Sequence, residues 1–128
     1  MIVVDTHAFL WWRDENRRLS RHAARAIETA GRVILPTVCC YELATLERRR
    51  RIRLDRGVNA WLRAALAVQG VEPYPLTTEI AIEAGSLPDS FPGDPVDRIV
   101  YATAAVLRSK LVTRDQRITG HDPERVIW

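Results

Sequence analysis

Lysine is nearly absent from this chain. Of its 19 basic residues, Lys110 alone is not arginine. The surface is therefore rich in planar guanidinium forks, which grip phosphate and carboxylate through paired bonds. The net charge is only +3, so an RNA, DNA or acidic-peptide partner is permitted but not demanded. Cysteine is scarce as well: Cys39 and Cys40 are the only two, and they are adjacent. Sequence neighbours rarely reach disulfide geometry, least of all on a helix. They read as small buried hydrophobes in a reducing compartment. No Cys/His spacing fits a metal site. No apolar run is long enough to span a bilayer, and no basic segment precedes the apolar N-terminus as export would require. A cytoplasmic location and no membrane partner are expected. Repeats, low-complexity stretches and long linkers are missing too.

What is present fits one domain over residues 1–128. At this length a single core can bury about two thirds of the unfolded chain's surface. Short β-type runs alternate with helical ones. Residues 2–5 (IVVD) read as a buried strand and 7–12 as a short helix. A helix over 20–30 has Ser20 as N-cap and Gly31 as its stop. VIL at 33–35 is a second strand. Thr37 is expected to cap a helix through about residue 51, and another helix spans 57–69. A strand near 71–75 is weakened by Pro73 and Pro75. Residues 78–86 are helical, FPGDP is a loop, and Pro95 opens a helix to about residue 108. KLVT at 110–113 and RVIW at 125–128 complete the strands. Strands separated by helices imply a parallel sheet with helices on both faces. In such sheets ligands bind at the carboxyl ends of strands, near a topological switch point.

Carboxylates fall at those ends. Asp5 closes the first strand, and Asp115 follows LVTR. Glu42 lies four residues after Val38 and four before Leu46, so it shares their apolar stripe and turns toward the sheet. Asp94 and Asp97 open the helix at Pro95. Most have an ordinary structural role available: Asp5 as an N-cap, Asp94 and Asp97 as a capping box, Asp115 as a turn residue. Glu42 has none, because a carboxylate on a buried stripe without a basic neighbour is costly. The set says more than its members. Two carboxylates about 4 Å apart repel by about 4 kcal/mol at an effective dielectric near 20. A cluster of four raises its own pKa values or recruits cations. Oxygen-only ligands suit hard divalent ions such as Mg²⁺ or Mn²⁺. Such ions hold a phosphate oxygen and lower the pKa of a bound water.

The segments VVDTHAFLWW, TVCCYELA, GDPVDRIVYATA and LVTRD resemble, in order and spacing, the four acidic motifs of PIN-domain nucleases. The closest likeness is to the VapC toxins of bacterial type II toxin–antitoxin modules, and it extends over essentially the whole chain. The resemblance implies an α/β/α sandwich around a parallel sheet, metal-dependent endoribonuclease activity and a cognate VapB-like antitoxin. Residue by residue, it assigns the catalytic and metal-binding quartet to Asp5, Glu42, Asp97 and Asp115. It gives supporting roles to Thr6, Asp94 and Thr113. The sequence departs from related ones at Tyr41-Glu42, where Trp-Glu is frequent. Aspartyl-phosphate enzymes of the haloacid dehalogenase type fit worse, since they need an Asp where His7 stands. Receiver domains want a lysine after a late strand, whereas Lys110 precedes its strand.

ERRRRIR places Arg48, Arg49, Arg50, Arg51 and Arg53 at the end of the helix bearing Glu42. They are either a solvated helix C-terminus or an RNA-phosphate track, with Arg48, Arg49 and Arg51 the leading candidates. Trp11, Trp12, Trp61 and Leu62 are either core or an apolar face for homodimerisation or an antitoxin helix. The opposing functional class is a catalytically silent PIN fold that binds RNA or protein without cutting.

Overall fold

The computed structural model describes residues 1–128. Its chain order is β1 (Ile2–Val4), α1 (Thr6–Arg13), α2 (Arg21–Thr29), β2 (Val33–Pro36), α3 (Thr37–Arg48), α4 (Gly57–Leu66), β3 (Val71–Tyr74), α5 (Thr78–Ser86), α6 (Pro95–Val106), β4 (Lys110–Val112), α7 (Gln116–His121) and β5 (Val126–Ile127). The strands form one sheet in the order β3-β2-β1-β4-β5, and every pairing is parallel. With right-handed crossovers, helices cover both faces. This is the α/β/α sandwich expected from the alternation of elements.

The strands form where the sequence is continuously apolar. Val3, Val4, Leu35, Leu111 and Val112 have no exposed surface, as strands covered on both faces require. Val71–Tyr74 carries Pro73 and pairs only with β2; as an edge strand it tolerates a missing donor. The order of connection reverses between β1 and β4. Val4 sits opposite Val112, and the Asp5 amide donates to the Val112 carbonyl at 3.1 Å. The ends of these two strands are therefore the switch point, and whatever follows them shares one edge of the sheet.

Three expectations change. Thr37 does not cap α3: Pro36 holds the cap position, no side chain accepts there, and the strand passes straight into the helix. Helix α3 also stops at Arg48, with Arg50 in the left-handed region at φ 57°, so the arginine run is mostly turn. Finally, α7 was not anticipated. It has six residues, is capped by Asp115 and is anchored by buried Ile118.

Candidate active site

A pocket of about 470 Å³ opens at the switch point, walled by Asp5, Glu42, Asp94, Asp97 and Asp115 together with Thr6, His7, Trp11, Val96, Val100 and Arg114. Its acids come from four separate segments. Asp5 follows β1 and caps α1, Oδ1 accepting from the Ala8 amide at 2.8 Å. Asp115 follows β4 and caps α7, Oδ1 accepting from Arg117 and Ile118 amides at 2.8 and 3.2 Å. Asp94 caps α6, Oδ1 accepting from Val96 and Asp97 amides at 2.8 and 3.3 Å. Capping does not use up these carboxylates. In each case the capping bonds fall on Oδ1, which leaves Oδ2 beyond the cap; at Asp115 that oxygen lies 3.6 Å from the Arg117 guanidinium. Three helix N-termini also face the pocket, and their partial positive charge favours anions there.

Asp97 lies in the first turn of α6. Its position depends on Arg98, which bolts the preceding loop in place. The Arg98 guanidinium donates to the carbonyls of Pro92 at 3.0 Å, Ala84 at 3.2 Å, Leu87 at 3.1 Å and Pro88 at 3.1 Å. One of these, Ala84, lies in the last turn of α5, where carbonyls run out of helical partners, and its only backbone donor is the Leu87 amide at 3.4 Å. Glu42 lies mid-α3, half-buried at the pocket wall. The buried stripe of that helix is Cys39 and Leu43, not Val38 and Leu46 as the spacing suggested. Glu42 is thus on the flank of the stripe and faces the pocket.

The electrostatics are those of crowded like charges. Burial, then the charges of Asp94, Asp115, Glu42 and Asp5, push the Asp97 carboxyl up to about 7. Burial raises Asp5 as well, although the Thr113 hydroxyl, the Ala8 amide and His7 pull it back in part. No three acid, histidine or cysteine side chains are drawn together as a closed metal-ligand set. Carboxylates with no cation between them repel one another. The donor set is nevertheless all oxygen. Thr6, 2% exposed, brings to the pocket a buried hydroxyl that makes no well-formed hydrogen bond in the protein and has the Cys39 thiol, a weak partner, beside it. A buried hydroxyl so weakly partnered can take a better partner from outside the chain, such as a water. Charge, donor type and this hydroxyl all fit a hydrated divalent cation.

All four quartet acids and Asp94 therefore come together, with Thr6 beside them. Thr113 is fully buried beneath them and accepts from the Asp115 amide at 3.1 Å. Arg49 and Arg51 line a groove next to the pocket that also contains Glu42 and Asp94, whereas Arg48 lines neither adjoining groove. Trp11 belongs to both core and site: 8% exposed, it packs edge-on against Trp128 and walls the pocket. Trp12 and Trp61 are half-buried around Phe9, and Leu62 packs on the same core. Cys39 is buried with its thiol pushed well above its ordinary value by burial, and Cys40 is half-buried. Arg114 was overlooked. Its guanidinium lies 5.4 Å from the centre of the Trp11 ring, and its place between Thr113 and Asp115 was the available signal.

Fold and pocket define an open α/β sandwich with an acidic, all-oxygen site at its switch point. The PIN domain family model matches residues 2–122. Ribonuclease VapC22 of Mycobacterium tuberculosis is 38% identical over 129 residues, covering 99% of this chain and 98% of that protein. The chain belongs to the PIN-domain family, in its VapC group. Solved structures agree in fold. A toxin–antitoxin complex from Klebsiella pneumoniae matches with a TM-score of 0.71 at 19% identity, over 100% of this chain and 97% of that one. VapC20 of Mycobacterium tuberculosis, a sarcin-ricin loop cleaving toxin, matches with a TM-score of 0.71 at 19% identity over 95% of each chain. No helix is long and apolar enough to cross a membrane.

Proposed function

We propose that this chain is a metal-dependent endoribonuclease, the toxin of a VapBC-like module, acting as a single domain on RNA phosphodiester bonds. The observation that carries the reading is the convergence of Asp5, Glu42, Asp97 and Asp115 on one pocket, where burial, then the charges of Asp94, Asp115, Glu42 and Asp5, lifts the Asp97 carboxyl to about 7. The 38% identity to a VapC ribonuclease supports it.

Asp5, Asp97 and Asp115 would hold Mg²⁺ or Mn²⁺, with Glu42 as a further ligand. Once bound, the ion supplies phosphate charge neutralisation and a water of lowered pKa. The chain's own groups do the rest. Glu42, free of internal hydrogen bonds, orients the attacking water and accepts its proton. The Thr6 hydroxyl holds a pocket water in place. Thr113 fixes the Asp115 backbone so that its carboxylate keeps its aim. Arg114 faces the scissile phosphate, and Trp11 keeps its guanidinium from collapsing onto the acids. Attack in line with the leaving oxygen leaves a 5′-phosphate and a 3′-hydroxyl.

A VapB-like antitoxin is the expected partner, in keeping with the toxin–antitoxin complexes among the fold relatives. Tyr41 and Ile82, 69% and 64% exposed, offer apolar surface for a homodimer. Purified protein should cut RNA in Mg²⁺ or Mn²⁺, and Asp5→Ala should lower the rate by about a hundredfold or more. Wild-type cutting by that variant, or cutting undiminished in excess EDTA, would sink the assignment.

A further inference from the structure

The acid pocket explains how a phosphodiester is cut but not how a polyanion is drawn to five carboxylates. A second groove, of about 450 Å³, adjoins the pocket and shares His7 and Trp11 with it. Its floor is apolar, from Leu10, Trp11, Leu46 and Ile52, and its charged rim is Arg18, Arg51 and Arg53 against Asp14 alone. The arginines arrive from two turns far apart in sequence, one after α1 and one after α3. All three are exposed, and none meets a carboxylate within ion-pair distance. The other adjoining groove sets Arg49 and Arg51 against Glu42 and Asp94 and is balanced. Of these two grooves, the one on the His7–Trp11 side carries the excess of cation.

Trp11 joins the two spaces. Arg114, on the pocket side, lies over its ring at 5.4 Å, and Arg18, on the groove side, at 5.9 Å. Both fall within the range where a guanidinium is attracted to the indole face. The ring thus holds two cations in fixed places without neutralising either, as a carboxylate would.

Resting on the ribonuclease reading, we infer that this groove is the channel for the single-stranded RNA flanking the scissile phosphate, with Arg18, Arg51 and Arg53 binding successive backbone phosphates. The apolar floor takes bases without reading them, since every base has a stackable face. Charge complementarity and continuity with the acid pocket select this occupant. It also revises the expected arginine track: Arg18 and Arg53 join Arg51, and Arg48 and Arg49 leave it.

The test uses the full chain in EDTA, so that binding is read without cleavage, with a fluorescein-labelled oligouridylate as probe. Fluorescence anisotropy across a salt series gives the slope of log affinity against log salt. Each lost phosphate contact should lower the slope by about 0.7, so Arg18→Gln/Arg51→Gln/Arg53→Gln should lower it by about 2. Arg21→Gln/Arg25→Gln, on exposed α2 positions outside the groove, should leave it unchanged. Methylphosphonate substitutions in the probe should weaken wild-type binding and should weaken binding by the triple variant less. A wild-type slope in the triple variant overturns the inference, and so does an equal fall in both variants. A retained slope with lost self-association in sedimentation gives the groove to a second copy of the chain and overturns it too. If wild-type protein cuts RNA while the groove variants bind as before, the ribonuclease reading stands and only the channel fails. If wild-type protein neither cuts nor binds RNA, both fall.

Discussion

Asp97 and Asp122 both stand at helix ends, one in the first turn of α6 and one just past α7, yet their carboxyl groups move in opposite directions. Burial and four neighbouring carboxylates raise Asp97 to about 7. Burial would raise Asp122 also, but the Tyr101 hydroxyl and the Arg125 guanidinium, each donating at 2.9 Å, hold it below its ordinary value. The same Arg125 donates to the Ser109 carbonyl at 2.9 Å, tying the approach to β5 onto the end of α6. One acid is satisfied within the protein and fastens the fold. The other is surrounded by its own kind and can be satisfied only from outside. Deeper burial and unpaired crowding at Asp97, against pairing at Asp122, separate the proposed catalytic carboxylate from the structural one in this chain.

Exchanging what the two acids do is the sharpest way to break that contrast. Asp97→Asn should lower RNA cleavage by about a hundredfold or more while leaving the urea midpoint in EDTA unchanged or higher, because it removes repulsion. Asp122→Asn should cost about 1–3 kcal/mol of unfolding free energy and leave turnover within about twofold. Loss of activity without loss of stability in the Asp122 variant would erase the distinction. The pH dependence of stability in EDTA should separate the two next. Asp97 has a folded pKa of about 7, above the unfolded value of about 3.9. Its folded form keeps the proton longer, so its contribution falls as pH rises between about 4 and 7. Asp122 is depressed, so its contribution is complete above about pH 4 and is lost as pH drops through the folded value. Urea midpoints measured against pH should show Asp97→Asn flattening the near-neutral limb and Asp122→Asn the acid limb; wild-type profiles in both would refute the linkage. The smallest effect is the ion's own. Mg²⁺ in excess should raise the melting temperature of wild type and of Asp122→Asn by about 4 °C and that of Asp97→Asn by much less. An equal rise in all three would place the ion elsewhere.

Much of this was legible from the chain because the relevant signals are local. Continuous apolar runs marked β1, β2 and β4, and the acids at their ends followed from the alternation of elements. The likeness of four short motifs then bound those acids into one site. What escaped depended on distance or on competition. QRITGH at 116–121 has neither length nor helical preference, and α7 forms because Asp115 caps it and Ile118 is buried beneath it. Thr37 looked like a cap because its side chain suits one, but Pro36 reaches the cap position as the last residue of a strand. The spacing of Glu42 with Val38 and Leu46 was real, yet tertiary packing turned the helix so that Cys39 and Leu43 took the core. Arg114 could not be placed from its own neighbourhood, since the ring that holds it belongs to residue 11.

Asp5 and Asp115 sit side by side only because β1 pairs with β4, the first strand with the fourth. A chain growing on the ribosome carries Asp5 through the synthesis of everything up to Asp97 and Asp115 with nothing to complete it. Asp97 emerges late and Asp115 later still. Time thus acts as a safeguard built into the topology: the proposed nuclease has no finished cutting centre during the period when it lies closest to the RNA and the ribosome that are making it.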